Sequence, residues 1–209
     1  MSYQHDVFIS YRRELQWTPW TRDYLKRALT SYLQQDLGRP PDIFVDERID
    51  IGDDWVDALG THLAQSRVVV AILSRDYFSS IWCLHEMDLI LNRFGGRVGL
   101  FAPLIVHDCD ALPDPISRAQ KTDFKAHRVA RMNEHGQAFE DFNRAVGLVS
   151  PQIARLIDTA PIFDPAWVIA CVNRFREVYE ANGRGDKLDP LHFDPRLKPP
   201  YSILPRLVP

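Results

Sequence analysis

At 209 residues with 45% hydrophobic and 25% charged side chains, the chain is long enough to bury one full core, with room for an appended element. A formal net charge of −3 and a pI near 6.1 argue against a nucleic-acid or membrane-surface protein, and no apolar run approaches the length needed to cross a bilayer. The N-terminus is polar from the start, so no secretory leader is expected, and Cys83, Cys109 and Cys171 are an odd number without CxxC spacing. Reduced thiols in a cytoplasm are therefore expected, not a disulfide framework or a zinc site.

In chain order, an apolar first strand over 7–11 (Val7-Phe8-Ile9-Ser10-Tyr11) runs directly into Arg12-Arg13. A helix follows from Thr18-Pro19, a capping residue before proline, with Trp20, Tyr24, Ala28, Leu29, Tyr32 and Leu33 as its apolar stripe. Leu37-Gly38 should end it, with Pro40-Pro41 blocking continuation. The second strand, 42–45, runs into Asp46-Glu47-Arg48, and a second helix covers about 53–64 with Trp55, Val56, Leu59 and Leu63 inward. The third strand, 68–73, leads through Ser74 and Ser80 to a helix bearing Trp82, Cys83, His85 and Glu86, closed by Gly95-Gly96. A fourth strand is expected over 98–106 and a short fifth over 121–124. The last long helical stretch, 137–157, is expected to break at Gly147 and Ser150-Pro151. Alternation of strand-like and helix-like periods is the pattern of an α/β fold with a parallel sheet.

Trp82 and Glu86 lie one helical turn apart, so the spacing predicts an aromatic plate beside a carboxylate, suited to a flat cationic ring. The helix that carries them starts at the carboxyl edge of the sheet, where open α/β folds bind ligands. If the first three strands are parallel neighbours, Arg12-Arg13, Asp46 and Trp82/Glu86 converge on one crevice there. A zinc-protease reading of His85-Glu86 fails because HExxH requires a second histidine where Leu89 stands. His107-Asp108-Cys109-Asp110 contains metal-capable groups, but adjacent residues on a strand end seldom converge, so no metal site is expected. No GxGxxG follows a strand and there is no Walker A motif, which leaves neither a dinucleotide-binding dehydrogenase nor a P-loop ATPase.

The ordered motifs Asp6-Val7-Phe8-Ile9-Ser10-Tyr11, Phe44-Val45-Asp46 with a loop ending at Gly52, Leu73-Ser74, and Ser80-Ile81-Trp82-Cys83-Leu84-His85-Glu86 resemble those of Toll/interleukin-1 receptor (TIR) domains. The resemblance covers residues 5 to about 150 and implies a flavodoxin-like three-layer α/β fold with a five-stranded parallel sheet in the order 2-1-3-4-5. It divides the chain into a TIR domain, 1–158, and an extension, 159–209, comprising a helix and a proline-rich tail that packs on the domain or docks to a partner. The tail's apolar residues are Tyr201, Ile203, Leu204, Leu207 and Val208.

Some TIR domains are adaptors and others cleave NAD⁺, and the enzymatic ones, the bacterial NAD-cleaving type among them, carry glutamate four residues after the helix tryptophan. Glu86 matches that position, and Arg12-Arg13 resembles the corresponding pair of the axon-degeneration enzyme. The resemblance implies an NAD⁺ nucleosidase with Glu86 catalytic and Tyr11, Arg12, Arg13, Asp46, Trp82 and Cys83 binding substrate. Arg48, Ile51 and Gly52 belong to the loop that mediates assembly. NAD⁺ is then a substrate and no resident cofactor or metal is implied. The expected setting is a cytoplasmic immune or anti-phage effector activated by oligomerisation, with self-association and a separate sensor or activator as partners and no nucleic acid or membrane. The alternatives are a cyclase making a cyclic ADP-ribose isomer and a noncatalytic adaptor.

Overall fold

A computed structural model describes residues 2–13, 16–46, 55–93, 100–109, 112, 116–117, 122–129 and 131–182. The expectations for the 48–52 loop, the Gly95-Gly96 turn and the tail beyond 182 lie outside these residues. Five strands form one parallel sheet: β1 His5–Tyr11, β2 Ile43–Val45, β3 Ser66–Leu73, β4 Phe101–Ile105 and β5 Thr122–Asp123. Their order is β2-β1-β3-β4-β5, as the motif resemblance implied.

Parallel strands need long crossovers, and here helices supply them. α1 runs from Trp17–Pro19 through a π-wound segment, Trp20–Lys26, to Arg27–Leu37. α2 is Trp55–Ala64, α3 Ile81–Asn92, α4 Gln137–Asp158 and α5 Ala166–Asn182. Because parallel crossovers are right-handed, the reversal of direction at β1 sends α1 to one face of the sheet and α2 and α3 to the other. α4 packs beside α1, and α5 packs outside α2 and α3.

Alternation along β1 sorts its side chains between these layers. Phe8 stacks on Phe44 of β2 at 5.3 Å between ring centroids, and Phe44 stacks on His62 of α2 at 4.1 Å. The even positions of β1 therefore face α2 and α3, and Ser10, two residues on from Phe8, faces the same way. Val7, Ile9 and Tyr11 face the α1 layer. Val7, Phe8, Ile9 and 68–73 of β3 are almost fully buried, so β1 and β3 form the centre of the core.

The ends of α1 follow its sequence closely. Gly38 adopts φ 66°, the left-handed conformation that closes a helix without a Cβ penalty. At the other end the helix begins at Trp17, not after Thr18, and Pro19 sits within the first turn, where a missing N–H breaks no helical bond. The π winding was not anticipated; it accompanies burial of Trp20, whose indole N–H donates to the His127 carbonyl at 2.9 Å.

One expectation is corrected: α4 does not break at Gly147 or Ser150-Pro151 but continues as 22 helical residues with Pro151 inside. The contact with α1 explains the continuity. Phe142, Val146, Val149, Ile153 and Ile157 form a buried stripe that crosses the proline without a change of phase. Ser150 is fully buried and its hydroxyl donates to Asp36 of α1 at 2.6 Å. A Cβ at Gly147 would lie 3.0 Å from the Tyr32 ring, so the missing side chain allows close approach there.

α5 is joined to the layer beneath it through apolar contact. Cys171, Phe175 and Val178 are buried, and Arg176 pairs with Asp57 of α2 at the rim. Gly60 of α2 sets the spacing, because a Cβ there would meet the Val172 backbone of α5 at 2.9 Å. Gly60→Ala should therefore force α5 outward and lower the unfolding free energy by about 1–3 kcal/mol, the usual cost of overpacking. Urea unfolding with amide exchange along α5 checks this; unchanged stability and exchange would mean that the two helices are not held at this distance.

Candidate functional site

The carboxyl ends of β1, β2 and β3 and the start of α3 meet at one edge of the sheet, at the point where strand order reverses. Open α/β sheets bind ligands at such a point, because the flanking crossovers depart in opposite directions and leave a crevice. The approach to α3 is a short turn, Tyr77–Ser79, fixed at both ends by serines. The Tyr77 amide donates to the Ser74 hydroxyl at 3.1 Å, and the Cys83 amide donates to the Ser80 hydroxyl at 3.2 Å. Ser80 thereby caps α3 and fixes its rotational phase.

That phase brings Glu86 to Ser10. The Ser10 hydroxyl donates to Glu86 Oε2 at 2.5 Å and lies 2.8 Å from the Tyr77 hydroxyl. All three are buried: Glu86 is 6% exposed, Ser10 1% and Tyr77 0%. Burial first, then the nearby Cys83 thiol and Glu86 carboxylate, push the Tyr77 phenol well above its ordinary pKa, so it stays neutral. Across the crevice Arg13 forms an ion pair with Asp46, joining the ends of β1 and β2. Burial raises the Asp46 pKa, and the Arg13 charge and hydrogen bond oppose that rise.

The residues singled out in the sequence are thus distributed as follows. Arg13 and Asp46 pair, Arg12 is buried just beyond β1, and Glu86 is bonded to the end of β1. Cys83 is buried on the first turn of α3. Tyr11 follows Ser10 and alternation sends it to the opposite face. Trp82 does not present an open plate: its ring lies edge-to-face with Trp55 at 4.7 Å and stacks on Phe175 of α5 at 6.0 Å. Arg48, Ile51 and Gly52 lie outside the described residues.

Sequence reasoning passed over Ser10 and Tyr77 as partners of Glu86. A lone hydroxyl inside an apolar strand was the available signal for Ser10; nothing local marked Tyr77. Near the end of β4, His107 packs on Trp17 at 5.3 Å and Asp108 pairs with Lys125 at 2.7 Å. Among the described residues no group of three His, Cys, Asp or Glu is arranged to hold a metal, and no helix is long and apolar enough to cross a membrane.

A family model described as TIR domain matches residues 7–142, which contain all of the sheet but the first two residues of β1 and include Glu86 and its partners. The chain belongs to the TIR domain family. It is related to plant immune TIR proteins: it is 31% identical to the disease resistance protein RPP2B of Arabidopsis thaliana over 90 residues, 43% of this chain and 7% of that protein. It is 30% identical to the disease resistance-like protein DSC1 of the same plant over 104 residues, 49% of this chain and 8% of that one. The uncharacterized protein y4lF of Sinorhizobium fredii is 21% identical over 141 residues, 67% of this chain and 43% of that protein. In each case the TIR chain spans less than half of its relative.

The opposite side of α3 holds a second buried polar group, His85 and Asp88 beneath Arg174 of α5. Asp88 Oδ2 lies 4.0 Å from Arg174, and Oδ1 accepts from the Asn92 amide at 2.7 Å. Burial pushes the Asp88 pKa up to about 7, against the lowering influence of Arg174 and Asn92. Burial, then Arg174, lowers that of His85 to about 3, so His85 is neutral near pH 7. Between about pH 4 and about pH 7 the folded protein keeps a proton on Asp88 that the unfolded chain releases, so stability falls as pH rises through that window. Asp88→Asn, which cannot titrate, should gain in stability relative to the parent as pH rises from 4 to 7. Urea melts across that range test the sign; a constant difference would show that Asp88 does not titrate there.

Proposed function

We propose that this TIR domain cleaves NAD⁺ at the nicotinamide–ribose bond, with Glu86 as the catalytic carboxylate. The observation that supports this reading best is a buried glutamate anchored by hydrogen bond at the carboxyl ends of β1 and β3, where their crossovers part, within a matched TIR domain. NAD⁺ enters as substrate, not as a resident cofactor.

The chemistry needs only one carboxylate. Ordinary glycosidases use two, one of them to protonate a poor leaving group. In NAD⁺ the leaving group is a cationic pyridinium that departs as neutral nicotinamide, so no acid is required. As the bond lengthens, positive charge develops on the ribosyl carbon and ring oxygen. Glu86 places fixed negative charge beside it and accepts hydrogen bonds from the ribose hydroxyls. Arg12 and Arg13 supply guanidinium groups for the pyrophosphate, the planar fork being matched to its oxygens. Asp46 holds Arg13 at the lip of the crevice. Trp82 forms a wall one turn from Glu86, and stacking of a nicotinamide on its face requires Phe175 or Trp55 to yield.

Water capture of the ribosyl cation gives ADP-ribose; capture by an adenine nitrogen gives a cyclic isomer, through the same carboxylate. The disease-resistance relatives favour an immune setting, either NAD⁺ depletion or messenger production, with activation by self-association through the 48–52 loop and a sensor protein. A cytoplasmic location accords with the three free cysteines, two of them buried.

Glu86→Gln keeps the shape and removes the charge. Nicotinamide release from NAD⁺, followed by chromatography and mass spectrometry at high protein concentration, should fall by at least about 100-fold, the scale of losing a main electrostatic stabiliser. Undiminished release by a folded Glu86→Gln protein would remove Glu86 from the mechanism. Absence of release by the parent under every assembling condition would favour the adaptor reading.

A further inference from the structure

We infer that Ser10 and Tyr77 form a buried hydrogen-bond relay that positions Glu86 for catalysis; the inference rests on the proposed role of Glu86. The direction of the relay follows from the number of protons. Ser10 has a single hydroxyl proton, and at 2.5 Å from Oε2 it is given to the carboxylate. The 2.8 Å contact with Tyr77 must then use the phenol as donor and Ser10 as acceptor. Tyr77 can act so because burial keeps it neutral. Each donation polarises the next, so the bond that reaches Glu86 is stronger than an isolated serine would make.

Three independent parts of the fold meet in this relay. Ser10 belongs to β1 and is paired in register with Ala71 of β3, so its backbone is fixed by the central pair of strands. Tyr77 is held by the turn that Ser74 caps. Glu86 is set by a helix that Ser80 caps. A glutamate has three side-chain torsions, and an unanchored one would sample many orientations at an entropic cost on each turnover. Engaging Oε2 from the sheet side fixes the plane of the carboxylate and favours its ionised form. Ser10 and Tyr77 are positioning residues, since neither is placed against substrate.

The two removals should differ in size. Ser10→Ala deletes this donor to Glu86 Oε2 and takes away the hydroxyl that the buried Tyr77 phenol contacts. Tyr77→Phe leaves the donation from Ser10 intact and removes only its polarisation. In the full chain, Ser10→Ala should lower kcat for nicotinamide release by about 10- to 100-fold, the scale of a hydrogen bond to a charged group, with KM within about twofold. The acid limb of its kcat–pH profile should move to higher pH. Tyr77→Phe should shift both quantities in the same direction by less, and Ser10→Cys, which keeps a weaker donor, should fall between parent and Ser10→Ala. A cavity or packing defect would instead change stability without moving the acid limb, so thermal unfolding is followed in parallel.

A second readout needs no turnover: carbon-13 NMR titration of glutamate carboxyls, with Glu86 assigned by its loss in Glu86→Gln. Ser10→Ala should move that titration upward. If Ser10→Ala folds and neither the acid limb nor the Glu86 titration moves while Glu86→Gln is inactive, the relay is overturned and the NAD⁺ reading stands. If neither parent nor Glu86→Gln releases nicotinamide, the NAD⁺ reading fails. The titration then decides the relay alone: an upward shift supports it as a positioning device, and an unmoved Glu86 overturns it.

Discussion

Strand β1 is paired in parallel on both sides, with β2 through Val7, Phe8 and Ile9 and with β3 from His5 to Tyr11, and the rest of the molecule is arranged around that double pairing. The crossovers that leave β1 and β3, α1 and α3, depart to opposite faces, so neither covers the carboxyl ends of this pair. Residues at and just past the end of β1 therefore reach both ways, Arg13 to Asp46 beyond β2 and Ser10 to Glu86 beyond β3. The register is sharply specified. Side chains alternate with a period of two, so a slip by one residue would turn Ser10 toward α1 and put Ile9 against Glu86. The apolar packing of Phe8 on Phe44 thus determines which side of the sheet receives the polar chemistry.

The second constraint comes from the segment after α4. A helix lying on a sheet normally keeps an outer face in water, yet residues 82–91 of α3 are all buried because α5 covers that face. Packing of Phe175, Cys171 and Val178 against α2 and α3 supplies the apolar side of this contact, extended by Trp55 with Tyr179 at 6.0 Å. Its cost is polar. Among the described residues, His85 Nδ1, Asp88 Oδ2, and Nε and one terminal nitrogen of Arg174 are buried without a hydrogen-bond partner. Such groups lose hydration without full replacement. The contact therefore brings Phe175 onto Trp82, at the edge of the crevice, while placing strained electrostatics behind it. Family membership resides in 7–142, so this covering of α3 is added by chain beyond the matched domain.

The sequence made the sheet legible because each strand is a short apolar run bounded by turn residues, and because Arg12-Arg13, Asp46 and Glu86 stand just beyond strand ends or on the helix that follows. Those positions locate a crevice before any side-chain geometry is known. What it did not show were properties that depend on distant partners. Pro151 reads locally as a helix breaker, and only the continuous stripe against α1 and the Ser150–Asp36 bond make it tolerable. Trp82 reads as a plate because i,i+4 spacing puts it beside Glu86, whereas its ring is covered by Trp55 and by Phe175, 93 positions later. Ser10 and Tyr77 are separated by 67 positions, so no local pattern ties them together. Periodicity reports a residue's own element; partnership across elements appears only once the sheet order is known.

The buried position of Glu86 imposes a final requirement on the chemistry. An ionised carboxylate removed from water is disfavoured unless hydrogen bonds replace its hydration, whereas cleavage of a cationic substrate needs that charge fully formed before the bond begins to break. An exposed glutamate would be ionised without assistance, but water would screen it from a developing oxocarbenium ion. Burial with a donor already in place reconciles the two demands. In the proposed reaction, low dielectric would strengthen the interaction with the ribosyl cation, and the Ser10 hydroxyl, itself in contact with Tyr77, replaces part of the lost hydration. The same arrangement disfavours a role for Glu86 as a general acid, since its hydrogen-bond partner on Oε2 donates to it. A leaving group that departs without a proton is the kind this geometry suits, and the pyridinium of NAD⁺ is one.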